Sequence, residues 1–143
     1  MAAAPRRVLL LHSSAGRYGA DVQLLAIARG LDPARWRAIC VLPEHGPLVS
    51  LLEAAGTQVV VHPLAVLRRS HATPGGAAGV ARAVGRDARM LGRLARSLGV
   101  AIVHDNTSVV LCGAAVARAA GATHLVHVRE IYAGAGGGGG GGG

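Results

Sequence analysis

The chain is 143 residues long and its last eight are glycine, so the natural folding unit is a single domain. Hydrophobic residues make up 51% against 15% charged, which excludes disorder outside the glycine tail, and no apolar run approaches the roughly 20 residues that span a bilayer. The net charge of +8 raises nucleic acid as a partner, but Tyr18, Trp36 and Tyr132 form no platform on which bases could stack.

In chain order, Arg7 to His12 is an apolar run of the kind that forms a buried parallel strand. It ends in a polar loop, Ser13 to Gly19. From Ala20 the apolar residues Val22, Leu25, Ile27, Ala28 and Leu31 recur at helical spacing until Asp32-Pro33. Ala38 to Leu42 predicts a second strand, Pro43 to Gly46 a loop, and Pro47 to Ala55 a helix with proline in its first turn. Thr57 to His62 predicts the third strand, and Pro63 to Ala78 an irregular surface crossing. A long helix follows over 79–98. Val100 to His104 is the fourth strand, Ser108 to Ala120 a helix, and Thr123 to Val128 the fifth strand.

Strands alternating with helices imply a Rossmann-like open parallel α/β sheet with helices on both faces. Ligands of such sheets bind outside the carboxyl ends of the strands, where helix N-termini also point. Histidine stands at or near that end of four strands, at His12, His62, His104 and His127, with Asp105, Asn106, Thr107, Arg129 and Glu130 close by. A terminal histidine is commonly structural, and His62, followed by Pro63, fits that reading. Several such groups on one rim point to a binding site.

The first loop lets backbone N–H groups approach a ligand at Gly16 and Gly19, but it is not Gly-x-Gly-x-x-Gly, and a chain without lysine has no phosphate-loop lysine. Cys40 and Cys112 are isolated in apolar surroundings and are expected to be buried free thiols. No acidic cluster has the spacing of a metal site, so no metal is expected.

Arg82, Arg86, Arg89, Arg93 and Arg96 are spaced by four, three, four and three, which places them in one helical stripe, with Val84, Ala88, Leu91, Ala95 and Leu98 opposite. The stripe reads as a solvated face, or as a docking face for an anionic membrane surface.

The runs His12 to Asp21, Val41 to Leu48, Val103 to Thr107 and His127 to Ile131 together resemble the amino-terminal domain of family-four glycosyltransferases of the GT-B fold, over about Arg6 to Tyr132. The resemblance implies the acceptor-side half of a retaining transferase. It would use a nucleotide-sugar as co-substrate, need no other cofactor, and build a cell-surface polysaccharide or glycolipid. It implies His127 as the catalytic residue beside the transferred sugar, and Gly16, Arg17, Tyr18, Gly19, Asp21, Asn106, Thr107, Arg129 and Glu130 as substrate-binding residues. It also implies a cytoplasmic protein, peripheral at the inner face of the plasma membrane. Asp21 stands where that family often has glutamate. The donor-binding half of the family, with its paired glutamates, has no counterpart here, so this chain alone is expected to be inactive, and 133–143 is expected to be a disordered tail. The alternatives are a non-catalytic module that binds a nucleotide or a partner, and a fragment of a sugar-nucleotide epimerase.

Overall fold

A computed structural model describes residues 3–66, 73–107 and 110–128. The elements are β1 (Arg6–Leu11), α1 (Ala20–Gly30), β2 (Trp36–Leu42), α2 (Pro47–Ala54), β3 (Gln58–Val61), α3 (Pro74–Ser97), β4 (Val100–Asp105), α4 (Gly113–Ala120) and β5 (Thr123–Val126). All pairings in the sheet are parallel, in the order β3-β2-β1-β4-β5. The expected Rossmann-like sheet is present, and its strand order reverses between β1 and β4.

Alternation along the strands builds two cores. Val8, Leu10, Cys40 and Leu42 face one side, packed against Leu24, Leu25 and Ala28 of α1 and Leu48 and Leu52 of α2. Leu9, Leu11, Ile39 and Val41 face the other, against Leu91 and Ala95 of α3 and Val116 and Ala117 of α4. Burying a leucine contributes on the order of 2 kcal/mol, so the fully buried Leu24, Leu48, Leu52 and Leu91 are the main anchors of the helices. Val100 and Val103 face the same core although three residues apart, because the β1–β4 register shifts between Arg7 and Val8 and passes over one extra residue of β4. Without that shift His104 and Asp105 would exchange faces.

Several boundaries differ from those predicted. The crossing expected to be irregular over Pro63 to Ala78 turns helical at Pro74, because Thr73 caps the helix by accepting from the Gly76 N–H at 3.0 Å and proline suits the first turn. The helix expected from Ser108 is described from Gly113, with 108–109 outside the described residues. The fifth strand ends at Val126, after which His127 still donates its N–H to the Asp105 carbonyl at 2.8 Å. The tail 133–143 also lies outside the described residues.

On α3 the five arginines of the stripe are exposed, while Leu91 and Ala95 are fully buried and Val84 and Leu98 pack against the core. Gly92 lets α3 approach α4 closely: a Cβ there would lie 2.8 Å from the Ala119 Cβ. Both cysteines are buried and free. Burial pushes the Cys40 thiol pKa well up, and burial with the nearby Asp87 and Asp105 carboxylates pushes Cys112 up to about 12.

Candidate functional site

At the reversal between β1 and β4 the chain leaves the sheet with His12 on one side and Asn106 on the other, and both are fully buried. The Asn106 N–H bonds to the Leu11 carbonyl at 2.9 Å and the His12 N–H to the Val41 carbonyl at 3.2 Å, so each residue continues the ladder one step beyond its strand. Their side chains meet, with Asn106 Nδ2 3.0 Å from His12 Nδ1. The same amide nitrogen donates to the Ala20 carbonyl at 3.2 Å, tying β4 to the start of α1. The other ring nitrogen, Nε2, lies 2.7 Å from Asp21 Oδ1.

A carboxylate at that position can only accept, so Nε2 carries the proton. Nδ1 then accepts from Asn106, which fixes the ring in the Nε2–H tautomer. Asp21 also accepts a very short hydrogen bond from the Ser14 hydroxyl, and the Tyr18 N–H at 3.3 Å. Burial raises the Asp21 pKa, but the bonds from Ser14, His12 and Tyr18 outweigh it, and the pKa lies below the usual carboxylate value.

Serine, histidine and aspartate side by side suggest a nucleophile, but the geometry excludes one. Ser14 Oγ lies 3.4 Å from His12 Nε2, the same nitrogen that donates to Asp21, while the ring's accepting nitrogen faces Asn106 on its other side. No lone pair on the ring faces the hydroxyl to take its proton. The cluster therefore positions the loop above it.

That loop, Ser13 to Gly19, closes over Asp21. A Cβ on Gly16 would lie 2.9 Å from Asp21 Oδ2, and Gly19 takes a left-handed φ of 53° to enter α1. The loop is braced from the side by Leu48, whose N–H bonds to the Ala15 carbonyl at 3.0 Å, and a Cβ on Gly46 would run into that carbonyl. The Asp21 carboxylate thus occupies the start of α1, where an anion would otherwise be drawn. Asp21 and Asn106, expected on the ligand surface, lie beneath it, because each is consumed in holding His12 and the loop. The exposed groups are Arg17, Tyr18 and Gly19 on the first loop and Glu44 and His45 after β2, with Thr107 half-buried after β4. His127 is exposed beyond β5 and stacks on His104 with ring centroids 6.0 Å apart. Arg129 and Glu130 lie outside the described residues.

Two further histidine–carboxylate pairs stand on the α3/α4 face. His62 Nε2 lies 2.8 Å from Asp87 Oδ1, and Asp87, fully buried on α3, also accepts the Ala65 N–H at 2.7 Å. His62 is thus structural, as expected, while Asp87 was hidden in the sequence among the arginines beside it. His124 Nε2 lies 2.7 Å from Asp105 Oδ2, and the Asp105 carboxyl presses so closely on Gly113 that a Cβ there could not fit. Burial raises the Asp105 pKa against the opposing bond from His124. The arginines of α3 are exposed on the outer surface of that layer, and Arg86 donates to the Pro63 carbonyl at 3.2 Å and pairs with Asp87 at 3.4 Å. Among the described residues there is no group of three or more histidine, cysteine or acidic residues able to hold a metal, and no helix is long and apolar enough to cross a membrane.

No protein-family model matches the chain, and no curated protein matches it. Among solved structures it is similar in fold to HepE of Anabaena, crystallised in complex with UDP and glucose, at a TM-score of 0.54 and 20% identity over 85% of the chain. The chain spans 29% of the length of HepE. It is also similar in fold to the C-terminal domain of a hydrogenase from Pyrococcus furiosus, at a TM-score of 0.55 and 18% identity, covering 85% of this chain and 89% of that one. At these identities the likeness is one of fold.

Proposed function

We propose that residues 6–132 are the amino-terminal, acceptor-side domain of a retaining glycosyltransferase of GT-B architecture, resembling family four. The observation that carries this reading is the buried His12–Asp21–Asn106 cluster, which holds a rim of exposed loop residues over the reversal of a Rossmann-like sheet. Open parallel sheets bind their ligands at that place. The structure of HepE, which shares the fold, holds UDP and glucose, which supports a nucleotide-sugar as co-substrate.

In this reading Arg17, Tyr18, Thr107 and the backbone at Gly16 and Gly19 contact the substrates, together with Arg129 and Glu130. His127 is the catalytic residue beside the transferred sugar, and Asp21 and Asn106 are positioning residues. The acceptor oxygen bonds to the anomeric carbon as the bond from that carbon to the diphosphate breaks, and the acceptor proton passes to the departing diphosphate. The protein contributes alignment and charge, with no metal. The donor is held by residues outside these 143. The acceptor is a cell-surface polysaccharide or glycolipid, and the arginine stripe of α3 rests on the anionic inner face of the plasma membrane.

The second reading is a non-catalytic α/β module that binds a nucleotide or a partner; the C-terminal domain of the hydrogenase, covered over 89% of its length, shares the fold as a single domain. Saturation-transfer NMR on the chain separates the two, with UDP, UDP-glucose and a panel of oligosaccharides as probes. An acceptor-side domain binds one or more saccharides, and binding weakens in Tyr18→Ala. Binding of nucleotide alone, with every saccharide silent, would overturn the proposal in favour of the module.

A further inference from the structure

Two helices begin beside the mouth, and neither start is open to an anion. At α1 the Asp21 carboxylate holds that place, taking the Ser14 hydroxyl and the Tyr18 N–H. At α2 Pro47 has no N–H, the Leu48 N–H is taken by the Ala15 carbonyl at 3.0 Å, and the Val49 N–H by the Gly46 carbonyl at 3.1 Å. On the loops before these helices, residues 13–19 and 43–46, Arg17 is the one arginine. This side of the mouth therefore lacks the donors with which helix starts draw phosphate.

It does present an acceptor. Glu44 is exposed and forms no ion pair with any described residue. Of the other described acidic residues, Asp21, Asp87 and Asp105 are buried, while Asp32 follows α1 and Glu53 stands in the last turn of α2, both at the amino edge of the sheet. Among the described residues Glu44 is thus the one exposed carboxylate at the carboxyl edge.

Its loop is held at both ends. Before it the Leu42 carbonyl accepts the His62 N–H at 2.9 Å, and after it Gly46 fits against the Ala15 carbonyl only because it lacks a Cβ. Pro43 and Pro47 flank the loop and fix the backbone φ on either side. The backbone under Glu44 is held while its carboxylate is left without a partner. Glu44 and Arg17 each stand two residues from the contact between Gly46 and Ala15, within about 7 Å of it along an extended chain, so one small ligand can touch both loops.

Resting on the transferase reading, in which a saccharide enters here, we propose that Glu44 selects the acceptor. Its carboxylate accepts from neighbouring hydroxyls of an uncharged sugar ring and turns away a ring that carries a carboxylate or a phosphate. A carboxylate only accepts, and its two oxygens can take two adjacent hydroxyls at once. An anionic ring would meet like charge at Glu44, with no free helix start nearby to offset it.

The probes are maltotriose, mannotriose and lactose, each also with C6 of its terminal ring oxidised to a carboxylate, titrated into the labelled chain and followed by amide chemical shifts. The expected result is that at least one neutral saccharide moves the amides of 44–46 and that its oxidised form binds at least roughly tenfold more weakly. Glu44→Gln keeps the shape of the side chain and removes its charge. It should weaken the neutral saccharide about tenfold to a hundredfold and abolish the preference over the oxidised form, an effect that a merely structural role would not produce. Because Glu44 is exposed, circular dichroism should show the variant folded as wild type. Saccharide binding that Glu44→Gln leaves unchanged, or an oxidised form that binds wild type as tightly as the neutral one, would overturn this proposal and leave the transferase reading standing. Silence from every saccharide would overturn both.

Discussion

Replacing Asp21 by alanine removes the acceptor shared by the Ser14 hydroxyl, the His12 Nε2–H and the Tyr18 N–H. The largest consequence falls on His12, which is fully buried and would keep a proton with no carboxylate to receive it. A buried donor left unsatisfied costs about 1–3 kcal/mol, and a hydrogen bond to a charged group contributes about 1.5–3 kcal/mol, so overlapping losses give about 3–4 kcal/mol. In a domain whose stability is of order 5–15 kcal/mol, that is a loss of roughly 10–15 °C in Tm. The effect is also pH-dependent. The folded pKa of Asp21 lies below the unfolded one, so the stabilisation is fully present above the unfolded value and is lost as pH falls through the folded value. Thermal unfolding followed by circular dichroism should therefore separate wild type and Asp21→Ala most at pH 7 and bring the curves together towards pH 3. A loss below about 1 kcal/mol, or a gap that does not narrow in acid, would refute the assignment of Asp21 as the hub of the cluster.

Further expectations concern the helices and the buried thiols. Gly85→Ala should stabilise α3 by about 0.5–1 kcal/mol, since nothing lies within 4 Å of the added methyl, while Gly92→Ala should destabilise by about 1–3 kcal/mol by forcing α3 from Ala119; chemical denaturation of both variants checks the opposite signs. Changing Arg82, Arg89 and Arg93 together to glutamate should abolish sedimentation with anionic liposomes while leaving the circular dichroism spectrum unchanged, because all three side chains are exposed; unchanged sedimentation would reject the membrane role. Cys40 and Cys112 should resist a thiol-specific aromatic disulfide at pH 8 in the native state and react promptly in denaturant, since both are buried and their pKa values are raised.

The layer order was legible because strands buried on both faces read as unbroken apolar runs, as in Val8 to Leu11 and Cys40 to Leu42. Helix starts were less so. Pro74-Gly75-Gly76 has the composition of a loop, yet with Thr73 in place the proline becomes a helix start. The arginine stripe gave the outward face of α3 correctly, but Asp87 within it was hidden: it faces inward, and its partner His62 lies 25 residues earlier, beyond any local pattern. The site shows the same limit. That His12, Asn106 and the first loop belong to one edge followed from strand direction. That Asp21 and Asn106 sit beneath the rim depends on the pairing of β1 with β4, which brings residues 94 apart in sequence into contact. The register shift in β4, which decides the face on which His104 stands, leaves no mark in composition.

The proposed function requires ligand to bind at the mouth between β1 and β4. Amide chemical-shift mapping on the isotopically labelled chain, with UDP-glucose and with any saccharide found to bind, tests this most directly. The prediction is a contiguous set of shifts over residues 13–19, 44–46, 106–107 and 127, with the outer face of α3 silent. Saturable shifts confined to α3 or to the β3 edge, with that set unmoved, would contradict it.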